Sequence, residues 1–430
     1  MAAPKRKSKV WQNFGQLVSG RLVSAVLTLL ATACMARALG PEEFGLIVLM
    51  HTYVLAVRAF FNLKPAETFV RFGVPLMDAG DKAQVNQLLG LVRSFEWVTM
   101  LVACTIAVVF SPLAGQWFGL PDSAGAILMG YSLVLLTSAV GTARGFCRAS
   151  ERFDVLRTAQ VIGPAIRLLG VALAWYLGAS WEYFALAWAL SLAVSYVFVW
   201  RQGTRLMRAA GYLPEHLPWR RAGAEFPGLP GFTGVVYAQG ILDQLPRHLI
   251  TLLIGGFLGA ANAGLYRIAR EIADVLAKPA LLIRQAAFTE ITRLGEEGNG
   301  ALSGVFQRYG LRLFVPAVVL VGLASAFREE VLTLVGGSAY TQAGVLLVLL
   351  LVAAAIELVG AVLRPIAYAH GKASVALRVQ VLAMLTYLTT FVALSGLYGL
   401  NSVGVAAIAA ACVTLITLGV LVWRWSHLET

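Results

Sequence analysis

Apolar runs of about 20 residues recur along the whole chain, each long enough to cross roughly 30 Å of hydrocarbon as a helix. They fall near 17–38, 44–63, 84–110, 124–146, 158–178, 181–200, 232–257, 263–283, 303–327, 343–369, 373–396 and 402–423, twelve in all. The longest polar interval, 201–231, is rich in Arg, Pro and Gly and divides them six and six. The pattern predicts an all-α polytopic membrane protein with twelve transmembrane helices in two pseudo-symmetric six-helix lobes around a central cavity. The expected units are an N-terminal lobe over 1–200, a cytoplasmic linker over 201–231 and a C-terminal lobe over 232–430.

The two halves match one another in places. LGPEEFGL (39–46) follows the first run and LGAANAGL (258–265) follows the seventh, so that Gly40 pairs with Gly259 and Gly45 with Gly264, both 219 residues apart. ERFDVLRTAQV (151–161) and GKASVALRVQV (371–381) follow the fourth and tenth runs, with Arg157 and Arg378 221 residues apart. Six is even, so both halves enter the membrane in the same direction. Parallel repeats of this kind place a binding cavity between two bundles, near the midplane.

Of the 430 residues 59% are hydrophobic and 13% charged, against about 25% charged in a soluble domain. The net charge of +12 has a topological source. One set of connections holds the N-terminal cluster Lys5 to Lys9, then Lys64, Arg71, Lys82, Arg144, Arg148, Arg152 and Arg157. It continues through the Arg residues of the linker to Arg284, Arg293, Arg308, Arg364, Lys372, Arg378 and Arg424, whereas the opposite set holds only Arg37 and Arg328. Positive loops mark the cytoplasmic side, which puts both termini inside, and no nucleic-acid partner is expected. The start MAAPKRKSKV followed by an apolar run superficially resembles a signal peptide. That run is too long for one and feeds into further spans, so a retained span is expected. Cys34, Cys104, Cys147 and Cys412 are far apart in or beside apolar runs and read as buried small hydrophobes, with no metal or cofactor site.

The charges inside the apolar runs carry the chemistry. In GLYRIAREIADVLAKP (264–279), Arg267, Arg270, Glu271, Asp274 and Lys278 step by three or four residues, forming one stripe about 16 Å long at 1.5 Å per residue. Facing lipid, each would cost about 2.5–3.5 kcal/mol, so the stripe faces protein or a wet cavity. Arg267–Glu271, Arg270–Asp274 and Asp274–Lys278 are opposite charges at i,i+4. Asp243 and Arg247 flank Pro246 in the seventh run. Glu357 lies mid-way along the tenth, Arg364 two turns later, and Arg58 in the second. The surplus is cationic, which suits an anionic ligand, and Arg binds phosphate through bidentate hydrogen bonds. The expected substrate-binding cations are Arg58, Arg247, Arg267, Arg270, Lys278 and Arg364. The carboxylates Asp243, Glu271, Asp274 and Glu357 have two readings: they hold the Arg side chains in place, or one of them exchanges H+ or Na+ during a cycle. Pro164, Pro246, Pro279, Pro316 and Pro365 are candidate kinks, while His51, His248 and His370 read as structural.

Twelve spans in two sixes, R…LGPEEFG over 37–45 and LG…GLYRIAREI over 258–272 resemble the polysaccharide transporter family. These are Wzx-type O-antigen oligosaccharide flippases of the multidrug/oligosaccharidyl-lipid/polysaccharide exporter superfamily. The resemblance implies alternating access in the bacterial inner membrane. The implied cargo is an undecaprenyl-pyrophosphate-linked oligosaccharide used in lipopolysaccharide or other polysaccharide synthesis. It also implies coupling to H+ or Na+, a monomer among membrane lipids, and association with polysaccharide assembly proteins. A multidrug antiporter of the same superfamily is the nearest alternative, although its cationic cargo favours an acidic or aromatic cavity. A membrane polysaccharide polymerase or ligase is the other. Its catalytic site would sit on an outside loop, of which 327–342 is the longest, and that loop offers Glu329 and Glu330 without a nucleophile, base and metal constellation. No enzyme activity is expected.

Overall fold

The computed structural model describes residues 3–274 and, apart from 316–317, 320, 362 and 370–371, residues 315–428, with most side chains from Ser19 onward. Lys278, Pro279, Arg284, Arg293, Arg308, Pro316 and His370 lie outside the described residues, as do the end of the expected eighth span and most of the ninth. Every regular element among the described residues is a helix. In the first half these are α1 (Ala3–Phe61), α2 (Pro65–Asp78), α3 (Lys82–Trp117), α4 (Asp122–Ser132), α5 (Gly141–Ala149), α6 (Phe153–Tyr176), α7 (Trp181–Ala209), the single turn α8 (Ala222–Glu225) and α9 (Leu229–Leu258). Then follow α10 (260–274), α11 (Arg328–Gly336), α12 (Gly344–Val359), α13 (Leu363–Ala369), α14 (Ala373–Tyr398) and α15 (Asn401–Leu428). Eight stretches among the described residues are long and apolar enough to cross a membrane, the first of which, Ser19–Asp78, holds two expected spans.

The boundary between those two spans is Gly40, at φ 73°, ψ 178° inside the otherwise helical α1. Only glycine adopts that region without strain, and Pro41 behind it has the fixed φ suited to a new helix start. Gly259, its expected counterpart, ends α9 at φ 88°, ψ 170°. The matched glycines therefore share a backbone conformation as well as a sequence context. Arg157 and Arg378 likewise both fall in the second turn of a helix, α6 and α14.

One interruption was not expected, and it meets a break that was. The second span ends at 62–64, as its apolar run predicts, where Lys64 adopts the left-handed conformation (φ 54°, ψ 48°) and Pro65 starts α2, a further helix in what reads as a connection. Asn62 Oδ1 accepts the Lys64 N–H at 3.1 Å across the break. The fourth span, read as one run over 124–146, is α4, a tighter 3-10 stretch Leu133–Ser138, a gap at Ala139–Val140, and α5. The two breaks touch: a Cβ on Gly141 would collide with the Pro65 ring. Broken membrane helices persist only where their freed backbone groups find partners in protein or a water-filled cavity.

The chain divides into two compact units, Met1–Ala260 and Ala261–Thr430. Within the first, α1 lies along α6, α6 along α7, and α2 along α5. Small residues bring these backbones together, as is usual where lipid removes the hydrophobic drive between helices. Gly145 of α5 meets Ala66 of α2, and Gly203 of α7 meets Ala143 of α5. The same unit includes α9, whose Gly255 leaves room for Leu49. The sequence reading puts that helix at the head of the second lobe because of the repeat. In the second unit α14 lies along α15 and α12 along α15, over a core that includes Leu363, Ile366, Val379, Leu418 and Val422.

Candidate anion-binding cavity

A cavity of about 630 Å³ opens inside the first unit, where the two helix breaks meet. Its wall is assembled from the end of α1 (Arg58), the break and start of α2 (Lys64, Glu67), α3 (Phe95, Glu96), α5 (Arg144, Arg148), the segment after α7 (Trp219, Arg220) and α9 (Gln244). Five cations, Arg58, Lys64, Arg144, Arg148 and Arg220, face it against two carboxylates, Glu67 and Glu96.

Both carboxylates are occupied. Glu67 takes a salt bridge from Arg148 at 3.2 Å. Glu96, only 6% exposed, reaches from α3 to the N-terminus of α5. It accepts the Thr142 N–H at 3.0 Å, the Thr142 hydroxyl at 2.7 Å and the Gly141 N–H. A carboxylate at a helix N-terminus satisfies orphan N–H groups and complements the helix dipole. No residue of α5 itself supplies that cap. Gly141 is required here, because a Cβ would stand 2.9 Å from Glu96 Oε1 as well as striking Pro65.

The cations are less completely satisfied. Arg58 and Arg144 approach the ring of Tyr196 on α7, with their guanidinium carbons 5.1 and 6.0 Å from its centroid. They are close enough to repel one another. Arg58 Nε is buried with no hydrogen-bond partner among the described residues. Glu96 lies within electrostatic reach of both, so one carboxylate already bonded to α5 serves two guanidiniums, and a further anion between them would be favoured. Behind α5 a second cavity of about 370 Å³ is lined by Arg21, His51, Arg167 and Trp188, with Arg144 and Arg148 facing both spaces. Buried Arg167 donates to the Thr28 carbonyl at 3.3 Å and lies over Trp188 at 4.8 Å.

Of the cations expected from the sequence, Arg58 lines the main cavity. Arg247 and Asp243 are exposed on α9 and form no ion pair with each other, while Gln244 between them reaches the cavity wall. The other described candidates belong to the second unit. There the local pairs form as their spacing predicts, Arg267–Glu271 at 3.3 Å and Arg270–Asp274 at 3.0 Å. Glu357 on α12, Tyr266 on α10 and Tyr387 on α14 lie within electrostatic reach of Arg270. Glu357, which has no basic neighbour at i±4 in sequence, thus has one within electrostatic reach on another helix. Arg364 starts α13 just past an interruption at Gly360–Ala361, half-buried.

The sequence pattern marks none of Lys64, Arg144, Arg148, Arg220 and Glu96 as cavity residues and places the four cations in the cytoplasmic charge set. A signal for one of them was present. Arg364 stands 220 residues after Arg144, close to the 219–221 spacing of the repeat, and each follows an interruption in its helix. By sequence alone Lys278 stands 220 residues after Arg58.

A family model described as polysaccharide biosynthesis protein matches residues 34–343. Inner membrane protein YghQ of Escherichia coli is 26% identical over 341 residues, covering 77% of this chain and 94% of that protein. Among solved structures, the lipid II flippase MurJ in an inward closed conformation superposes with a TM-score of 0.74 at 11% identity, covering 96% of this chain and 90% of that one. An inward-facing multidrug resistance MATE transporter of the MOP superfamily gives 0.72 at 15% identity, with 94% of each chain covered. A MOP superfamily transporter from Pyrococcus furiosus gives 0.59 at 15% identity, covering 97% of this chain and 96% of that one. The family match spans most of the chain, which therefore belongs to the polysaccharide biosynthesis protein family and has the fold of MOP superfamily transporters.

Proposed function

We propose that the protein is a flippase of the bacterial inner membrane that moves an undecaprenyl-pyrophosphate-linked oligosaccharide, such as an O-antigen unit, from the cytoplasmic to the periplasmic leaflet. The observation that carries this reading is the cationic cavity built from two broken helices, with five cations facing two carboxylates that are already bonded. Pyrophosphate is a multiply charged acceptor that planar guanidiniums bind bidentately. The cavity lies among basic residues of the cytoplasmic charge set, so cargo enters from the leaflet where it is assembled, with its lipid chain left in the bilayer. Rocking of two six-helix lobes, 1–200 and 232–430, then exposes the head group outside, with both termini staying cytoplasmic.

The second-unit cluster of Arg270, Asp274 and Glu357 is the counterpart proposed for ion exchange, H+ or Na+, with Arg267 and Glu271 as its bonded neighbours. A multidrug antiporter shares the fold, but a basic cavity repels cationic drugs. For the Pyrococcus furiosus transporter too, reverse polarity of the binding pocket is what suggests a different function. Family membership favours polysaccharide cargo. Cells lacking the protein are expected to accumulate completed oligosaccharide on its lipid carrier in the inner leaflet. An unchanged lipid profile together with new drug sensitivity would move the assignment to small-molecule export.

A further inference from the structure

Trp219 lies in the polar segment between α7 and α9. Its indole stacks on Phe95 of α3, with ring centroids 4.4 Å apart and planes 16° apart, and its Nε1–H donates to Ser94 Oγ at 3.0 Å. The ring nevertheless remains 43% exposed and lines the main cavity beside Arg220. The segment is fastened there by more than the indole. Asn86 accepts the Glu215 N–H on its carbonyl at 3.0 Å and the Leu213 N–H on Oδ1 at 2.9 Å. Gly90 leaves α3 bare where the Glu215 backbone crosses it, and a Cβ there would collide with the Glu215 carbonyl.

With the backbone already tied down at Leu213 and Glu215, the plate-like ring is fixed in direction, one face backed by Phe95. The cavity wall around it mixes apolar side chains such as Leu91, Val92 and Met100 with the hydrogen-bonding side chains of Asn62, Thr99, Thr233 and Gln244. A pyranose ring has one apolar C–H face and a rim of hydroxyls, so it fits an aromatic plate set among hydrogen-bonding side chains. Aromatic residues with a polar handle serve such mixed surfaces well, and about 630 Å³ lies within the usual 300–1,000 Å³ range of small-molecule sites.

We infer that Trp219, backed by Phe95, is a carbohydrate platform on which the first sugar of the cargo stacks while its pyrophosphate lies against Arg58 and Arg144. This rests on the pyrophosphate reading of the same cavity, and one titration separates the two. The full-length protein is titrated with farnesyl pyrophosphate and with farnesyl pyrophosphate carrying one N-acetylglucosamine. Wild type is expected to bind the sugar-bearing probe about tenfold more tightly. Trp219→Ala should remove that difference and leave farnesyl pyrophosphate within about twofold, Trp219→Phe should keep most of it, and Ser94→Ala should keep most of it too. Equal affinities in wild type, a sugar preference that survives Trp219→Ala, or equal weakening of both probes by Trp219→Ala would overturn the platform while leaving the pyrophosphate site standing. Failure of wild type to bind either probe would overturn both.

Discussion

A carboxylate buried among apolar helices costs several kcal/mol unless its oxygens are bonded, and Glu96 meets three donors from Gly141 and Thr142. All three point hydrogens at it, so a side chain with acceptors only is what the site demands. Glu96→Gln would turn one oxygen into an N–H donor facing another donor. The loss is expected to be about 1–3 kcal/mol, the usual cost of an unsatisfied buried group, seen as a lower unfolding temperature in detergent. A variant as stable as wild type would mean that α5 does not depend on this cap. The contrast with Arg267–Glu271 and Arg270–Asp274 shows what was legible at this scale. Those pairs are set by helix spacing and could be read from the sequence. The partner of Glu96 is 45 residues away, on a helix whose start was itself hidden.

At the scale of elements, helix positions followed from apolar run length, but interruptions did not. An average over about 20 residues passes smoothly across TSAVGTARG, in which the fourth span breaks. Gly40 was visible because it sits in a motif that recurs at Gly259. A Cβ at either position meets nothing within 4 Å, so Gly40→Ala and Gly259→Ala report backbone strain alone. Each should cost about 1–3 kcal/mol, the range for a residue forced into a sparsely populated conformation, again as a lowered unfolding temperature. Unaltered stability in both would remove the conformational reason for the repeat. The segment over 210–221 is a second case: its composition predicts only a polar linker, yet its Trp219 and Arg220 form part of the cavity wall. Gly90→Ala should lift it from α3, which limited proteolysis would register as faster cutting between α7 and α9 in an otherwise folded protein. Cutting at the wild-type rate would show that the Gly90 crossing does not hold the segment.

At the scale of the whole molecule, membrane class, helix content and family were all legible, because composition and run length act over hundreds of residues. Charge placement was legible only in part. Arg58 was expected in a cavity, whereas Arg144 and Arg148 were assigned to topology, since a positive-inside count cannot distinguish a loop cation from one that folds back into a broken helix. If the Arg58–Arg144 pair binds the pyrophosphate of the cargo, loss of either guanidinium slows transport. The rate is read in vesicles containing the purified protein, from a fluorescent undecaprenyl-pyrophosphate-linked disaccharide crossing between leaflets. Wild type should carry it, and Arg58→Ala and Arg144→Ala should each slow it at least tenfold in proteins that still fold. Crossing at the wild-type rate in both variants would rule out the pair as the pyrophosphate site.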